Sequence, residues 1–229
     1  MADAVEGDRA YLLGRHAEHL SRVLRARVGQ EFDVATPDGV RRAKVASVSD
    51  ERVEFELGAS IESGATTDLT LLLAIFKFDR MESAIEKCTE LGVTQIVPVV
   101  ARRTEPHLAS AAEKRVERWR RIAIQAAEQS RRQSPAEITT PVKLKNALDR
   151  EGVRIALAES EEQIMLADVV DAHPTEPATL AVGPEGGWTD DELKLFAKKG
   201  WLSASLGETI LRAETAAIAA TAIVMALRR

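Results

Sequence analysis

The sequence predicts an α/β protein, a parallel sheet with helices on both faces, preceded by a small antiparallel β unit. Three observations carry this reading. Residues 67–229 alternate short apolar runs with helical stretches, the pattern of a parallel sheet covered on both sides. The first 66 residues instead alternate apolar and polar positions between turn signals. Between the two patterns, "SIESGATTD" is polar and turn-rich, and reads as a linker separating a domain of residues 1–66 from one of residues 67–229.

In chain order, "HAEHLSRVLR" reads as one helical turn. "EFDVATPDGVRRAKVASVSDERVEFEL" follows with turns at Pro37-Asp38-Gly39 and Ser49-Asp50, giving a small antiparallel sheet or barrel. The strands expected next are "LTLLLAIF", "TQIVPVV", "VRIALAE", "TLAVG" and "LSASL", with helices near 80–91, 110–132, 189–199 and 213–227. Ser110 with Glu113, and Thr189 with Glu192, match capping boxes, and Gly92 and Gly200 stand where helices end. The last helix is apolar on nearly every face, so it is expected in the core or against a partner subunit. Cys88 shares a helical face with Met81, Ala84, Ile85 and Leu91 and is read as a buried small hydrophobe.

Composition narrows the function. With 45% hydrophobic and 29% charged residues, the chain is an ordinary globular protein. One cysteine excludes an intrachain disulfide and a Cys-rich metal site, and His16, His19, His107 and His173 lack ligand spacing, so no metal is expected. No apolar run reaches the roughly 18 to 20 residues that span a bilayer, and "MADAVEGDRA" lacks an apolar signal core, so a cytoplasmic setting is expected. The net charge is −5, yet residues 101–132 hold nine Lys/Arg against four Asp/Glu, and residues 15–44 seven against four. Such zones can steer a phosphate backbone even on an acidic protein, or be solvated helix faces.

The segment most suggestive of chemistry is "LAVGPEGGWTDDEL", residues 180–193: a strand end, three glycines and a helix start. Ligands in such sheets bind beyond the carboxyl ends of strands. Neither GxGxxG nor GxxxxGK[ST] occurs, and Asp190, Asp191 and Glu192 in the helix's first turn would repel phosphate. A small ligand without phosphates, held largely by backbone, is therefore favoured over a nucleotide. "LGETILRAET", with Gly207 after another strand, offers a second loop of the same kind.

The stretches "EKCTELGV", "RWRRIAIQAAEQSRR", "VGPEGGWTDDE" and "LGETILRAETAAIAA", in this order, resemble the ribosomal RNA small subunit methyltransferase E family over essentially the whole chain. The resemblance implies a trefoil-knotted SPOUT-type fold with an N-terminal PUA-like RNA-binding β-barrel, a homodimer, and S-adenosylmethionine as cofactor. It implies methylation of N3 of a uridine in 16S rRNA of the small subunit. A different target nucleotide and a non-catalytic assembly protein are the alternatives.

Matched motif by motif, the cofactor residues are Gly183, Pro184, Glu185, Gly186, Leu206, Gly207, Ile210, Leu211 and Thr215, with Ala158 and the adjacent Glu159 as a third wall. Arg212 is the expected stabiliser of a developing uracil anion, and Glu214 or Glu185 the carboxylate that could take the N3 proton. Arg22 and Arg25 on one helical turn, Arg102 with the adjacent Arg103 after a strand, and Arg132 on a polar stripe with Arg118 and Arg121 are the expected RNA contacts. Relatives usually carry glycine after "EQS", where this chain has Arg131, so Arg132 matches the family arginine.

Overall fold

The computed structural model describes residues 2–37, 39–61 and 68–228. The chain divides into two units, Met1–Ala65 and Thr66–Arg229. The linker expected at residues 60–68 lies mostly outside the described residues, as does Asp38 of the Pro37-Asp38-Gly39 turn.

The first unit is an antiparallel sheet of β1 (Ala4–Glu6), β2 (Arg9–Leu13), β3 (Glu31–Thr36), β4 (Gly39–Val48) and β5 (Arg52–Ser60), in the order β1-β2-β5-β4-β3. The period-2 pattern works as strand geometry requires. Ala43 and Val45 of β4, and Val53, Phe55 and Leu57 of β5, point into one core, while Arg42, Lys44 and Glu56 point out. Ser49 closes the β4–β5 turn, its N–H donating to the Arg52 carbonyl at 2.9 Å. The Ala2 N–H donates to the Ala35 carbonyl of β3 at 2.9 Å, linking the start of the chain to the far strand.

The expected helical turn is α1 (Gly14–Glu18) followed by a wider π turn, His19–Val23. Arg25 lies beyond it at φ +51°. Arg22 and Arg25 therefore do not share a helical face, which corrects that expectation.

The second unit is a sheet whose central strands are parallel. β6 (Leu69–Ala74), β7 (Gln95–Val100), β10 (Val153–Leu157), β11 (Ala178–Val182) and β12 (Leu202–Ala204) fall on the five expected runs; β8 (Glu137–Ile138) and β9 (Val142–Lys143) are short additions beside β7. The order is β12-β10-β11-β6-β7-β8. Adjacent residues of β6 face opposite cores. Leu71 and Leu73 pack on the side of α2 (Phe78–Leu91), α4 (Val116–Gln129) and α7 (Ala213–Leu227), whereas Leu72 and Ala74 pack with Phe196 of α6 (Asp190–Lys198), Trp188 and Trp201. Cys88 is fully buried on α2, opposite Thr221 of α7.

Two expectations about helices change. The stretch expected as one helix over 110–132 is α3 (Pro106–Ala111), a 3-10 turn at Ala112–Arg115, then α4. Ser110 caps nothing: it lies inside α3, where its hydroxyl donates to the His107 carbonyl at 3.0 Å. Pro106, whose fixed φ suits a first helical residue, starts that helix instead. After α4, Arg131 adopts φ +58°, the left-handed conformation that glycine reaches without a Cβ penalty.

One crossing shapes the site. The chain leaves β10, runs through α5 (Leu166–Ala172), β11 and α6, and returns to pair β12 with β10 on the side away from β11. There residues 204 and 205 are bonded on both flanks. The Ala204 carbonyl accepts from the Ala158 N–H at 3.1 Å, and Ser205 exchanges backbone bonds with Ile164 (2.8 Å) and Leu166 (3.0 Å).

Candidate functional site

The carboxyl ends of β10, β11 and β12 open into a cavity of about 480 Å³ walled by residues from 157–160, 182–188 and 204–213. That volume is in the range of sites that enclose a small organic ligand.

Each wall is fixed by chemistry the local sequence supplies. β11 is buried throughout and stops at Gly183, where a Cβ would lie 3.4 Å from the Gly187 backbone and the Trp188 ring. The chain then turns on itself, the Gly187 N–H donating to the Pro184 carbonyl at 2.8 Å with Gly187 at φ +67°. Arg103, reaching over from the end of β7, donates one terminal nitrogen to the Gly186 carbonyl and to the Trp188 carbonyl at 3.2 Å. The Trp188 indole N–H donates to the Leu157 carbonyl at 3.1 Å, tying this loop to the end of β10.

The capping box at Thr189 and Glu192 is present, and it does more than start α6. Glu192 is 8% exposed; one carboxylate oxygen accepts from the Thr189 N–H and hydroxyl at 2.9 Å, the other from the Arg102 N–H at 2.7 Å. A buried carboxylate is tolerable because several donors satisfy it. It locks the turn after β7 to the helix after the glycine loop.

The third wall is held by Ser205, whose hydroxyl accepts from the Gly207 N–H at 3.2 Å. Gly207 has φ +123° with open space where a Cβ would stand, so backbone geometry alone demands glycine. Ile210 at the loop's tip is 79% exposed. Arg212 is the N-cap of α7, its carbonyl accepting from the Ala216 N–H at 2.8 Å. Arg212 lines the cavity, and its side chain has no hydrogen-bond or ion-pair partner among the described residues.

Of the residues expected around a cofactor, Ala158, Gly183, Pro184, Glu185, Gly186, Leu206, Gly207, Ile210 and Leu211 line this one cavity, with Glu159 and Arg212. Two expected residues do not. Thr215 is exposed on α7 outside the lining. Glu214 stands behind Arg80, with one carboxylate oxygen 3.7 Å from the arginine Nε and the other buried without a partner among the described residues.

Arg80 was not foreseen. It lies between the two loops, 3.7 Å from Glu214 and 3.8 Å from Glu185, and lines the cavity. Trp188 and Ser205 were also missed, their roles depending on partners distant in sequence, whereas Arg103, expected as a functional cation at a strand end, does line the cavity.

The expected RNA contacts fare unevenly. Arg102 is exposed and lies outside the lining of the cavity, while its backbone serves Glu192. Arg22 is exposed but paired with Glu18 at 2.9 Å and Asp50 at 2.8 Å. Arg132 is corrected: its guanidinium donates to the carbonyls of Thr89 (2.6 Å), Val93 (2.9 Å) and Gly92 (3.2 Å), clamping the end of α2. Burial lowers its pKa from the usual arginine value. Arg118 of the same stripe is bidentate to Glu82 at 2.6 and 2.7 Å. Among the described residues no group of three or more His, Cys, Asp or Glu could hold a metal, and no helix is long and apolar enough to cross a membrane.

Comparison with known proteins gives this geometry a context. Residues 63–225 match the sequence profile of an RNA methyltransferase domain. The ribosomal RNA small subunit methyltransferase E of Rickettsia conorii is 34% identical over 93% of this chain and 87% of its own length. That of Synechocystis is 33% identical over 91% and 70%. A crystal structure of the Neisseria gonorrhoeae ribosomal RNA small subunit methyltransferase E bound to S-adenosyl methionine superposes with a TM-score of 0.79 at 30% identity, covering 99% of this chain and 95% of that one.

Proposed function

The chain belongs to the ribosomal RNA small subunit methyltransferase E family, and from that premise we propose that it uses S-adenosylmethionine to methylate N3 of a uridine in 16S rRNA. The observation that carries the reading is the cavity between the 183–188 and 204–213 loops. It has the volume for such a ligand, no phosphate-binding motif, and Glu159 and Glu185 in its wall. A sulfonium cation bearing adenine and an amino-acid end suits that chemistry: carboxylates tolerate its charge and strand-end backbone can read its base. When bound, the cofactor supplies an electrophilic methyl group.

The protein's residues supply the rest. Uracil N3 is a poor nucleophile until its proton leaves, so the site must accept a proton and support negative charge spreading to O2 and O4. Arg212, a permanent cation with no competing partner among the described residues, is positioned to stabilise that charge. Of the two carboxylates considered as proton acceptor, Glu185 lines the cavity and Glu214 does not, so the proton is assigned to Glu185. Glu214 then acts as the partner that orients Arg80.

The architecture carries three further proposals. Residues 204 and 205, bonded to 158 on one flank and 164–166 on the other, support a trefoil knot in a domain of residues 67–229. The Ala2–Ala35 bond supports closure of residues 1–66 into a PUA-like barrel. Half-buried Ile218 and Ile223 and exposed Leu227 on an apolar α7 support a homodimer, and the cytoplasm is its proposed setting because a ribosomal RNA substrate is found there. Incubation with labelled cofactor and small subunits from a strain lacking the modification tests the function. Label at N3 of one 16S uridine is expected, and no label in 16S rRNA refutes it.

A further inference from the structure

Beside the cavity lies a second cleft of about 320 Å³, lined by Lys77, Arg80, Arg103, Glu105, Glu185 and Gly186. Arg80, Arg103, Glu185 and Gly186 belong to both walls, so the two spaces adjoin. The charge in the cleft is lopsided. Three cations, Lys77, Arg80 and Arg103, line it against two carboxylates, and Glu185 is 3.8 Å from Arg80. Lys77 is exposed, and its ammonium has no partner among the described residues. Arg103 directs one terminal nitrogen at the Gly186 and Trp188 carbonyls, leaving its other N–H donors for a ligand.

The sulfonium of a methyl donor is repelled by these groups, and its single carboxylate can occupy only part of them. Arg80 is tolerable in its wall because Glu185 and Glu214 flank it. Lys77 and Arg103, at an open face next to the reacting site, suit an anion instead. On the rRNA methylation reading, that anion is a nucleic-acid backbone. A base presenting N3 must leave its stack, and the protein must grip the sugar-phosphate beside it.

We propose that this cleft binds the phosphodiester adjoining the methylated nucleotide, with Lys77 and Arg103 contacting phosphate and Arg80 dividing the donor side from the acceptor side. The proposal rests on the function argued above.

Lys77 is the discriminating position, because it lines the cleft and not the cavity. Lys77→Ala and Lys77→Glu in the full chain are compared with the unsubstituted protein by calorimetry with S-adenosylmethionine. Methyl transfer to unmodified small subunits is then measured over a salt series. The expected result is unchanged cofactor affinity, within twofold, with KM for subunits raised about tenfold by Ala and further by Glu. The slope of log affinity against log salt should fall by about one in the Ala variant, as loss of one phosphate contact requires. Wild-type KM and slope in both variants would overturn the cleft alone, and so would a parallel loss of cofactor affinity. No transfer by the unsubstituted protein would overturn the functional reading together with the cleft.

Discussion

Replacing Gly207 by alanine isolates the backbone's part in building the cavity. Among the described residues, no atom beyond the two chain neighbours lies within 4 Å of the Cβ that would be added, so packing contributes nothing to the effect. What changes is the cost of φ +123° for a residue with a side chain. Such strain is worth roughly 1–3 kcal/mol, and a chain of this size loses roughly 2–4 °C in Tm per kcal/mol. If the loop relaxes to escape the strain, Leu206, Ile210 and Leu211 move with it and the cavity loses a wall. Affinity for S-adenosylmethionine measured by calorimetry should then fall about tenfold, which is about 1.4 kcal/mol, whereas a loop that keeps its path shows the strain as a lower Tm. Gly186→Ala is the control. Its Cβ would meet only the Arg103 side chain, at 3.2 Å from Cδ, and a flexible side chain can yield. Its effect should stay within threefold. Unchanged Tm and affinity in Gly207→Ala, or a larger loss in Gly186→Ala, would refute the reasoning.

Three other outcomes are expected. Arg212→Ala should keep cofactor affinity within about tenfold while turnover falls by about a hundredfold or more, the usual cost of deleting a group that stabilises transition-state charge; equal loss of both would make it a wall of the cavity. Arg131→Gly should raise stability by about 0.5–1 kcal/mol in a denaturant titration, because it relieves φ +58° at some cost in unfolded-chain entropy. Burial pushes the Cys88 thiol from 9.0 up to about 12, so alkylation at pH 8 followed by mass spectrometry should track global unfolding only. Because the folded pKa is the higher one, folding favours the neutral thiol; this contribution is complete below pH 9 and lost as pH rises towards 12.

Much of the second unit was legible because buried parallel strands are written as continuous apolar runs, and "LTLLLAIF" or "TLAVG" has few other readings. Strand order was not, since the return of β12 to the outer flank of β10 depends on crossovers that leave no local mark. The helix break between Ala111 and Val116 was missed because the charge-rich run continues through it, although Pro106 signals the true start. The glycine loops could be read as a site from their own residues. Arg80 could not, because "FKFDRME" looks like the outer face of a helix and its partners Glu185 and Glu214 lie more than a hundred residues on. Arg132 shows the opposite failure: a cation in a polar stripe suggests solvent, and only the fold turns it onto the carbonyls of residues 89, 92 and 93.

Three of the five residues at 183–187 are glycines, so that edge of the cavity is drawn in main chain, whereas the neighbouring cleft is drawn in long charged side chains. Point substitution can rewrite the second surface one residue at a time, but at Gly187, held at φ +67°, it cannot edit the first without straining the chain. A protein built this way can drift in which nucleic acid it accepts while its hold on a common small molecule stays fixed.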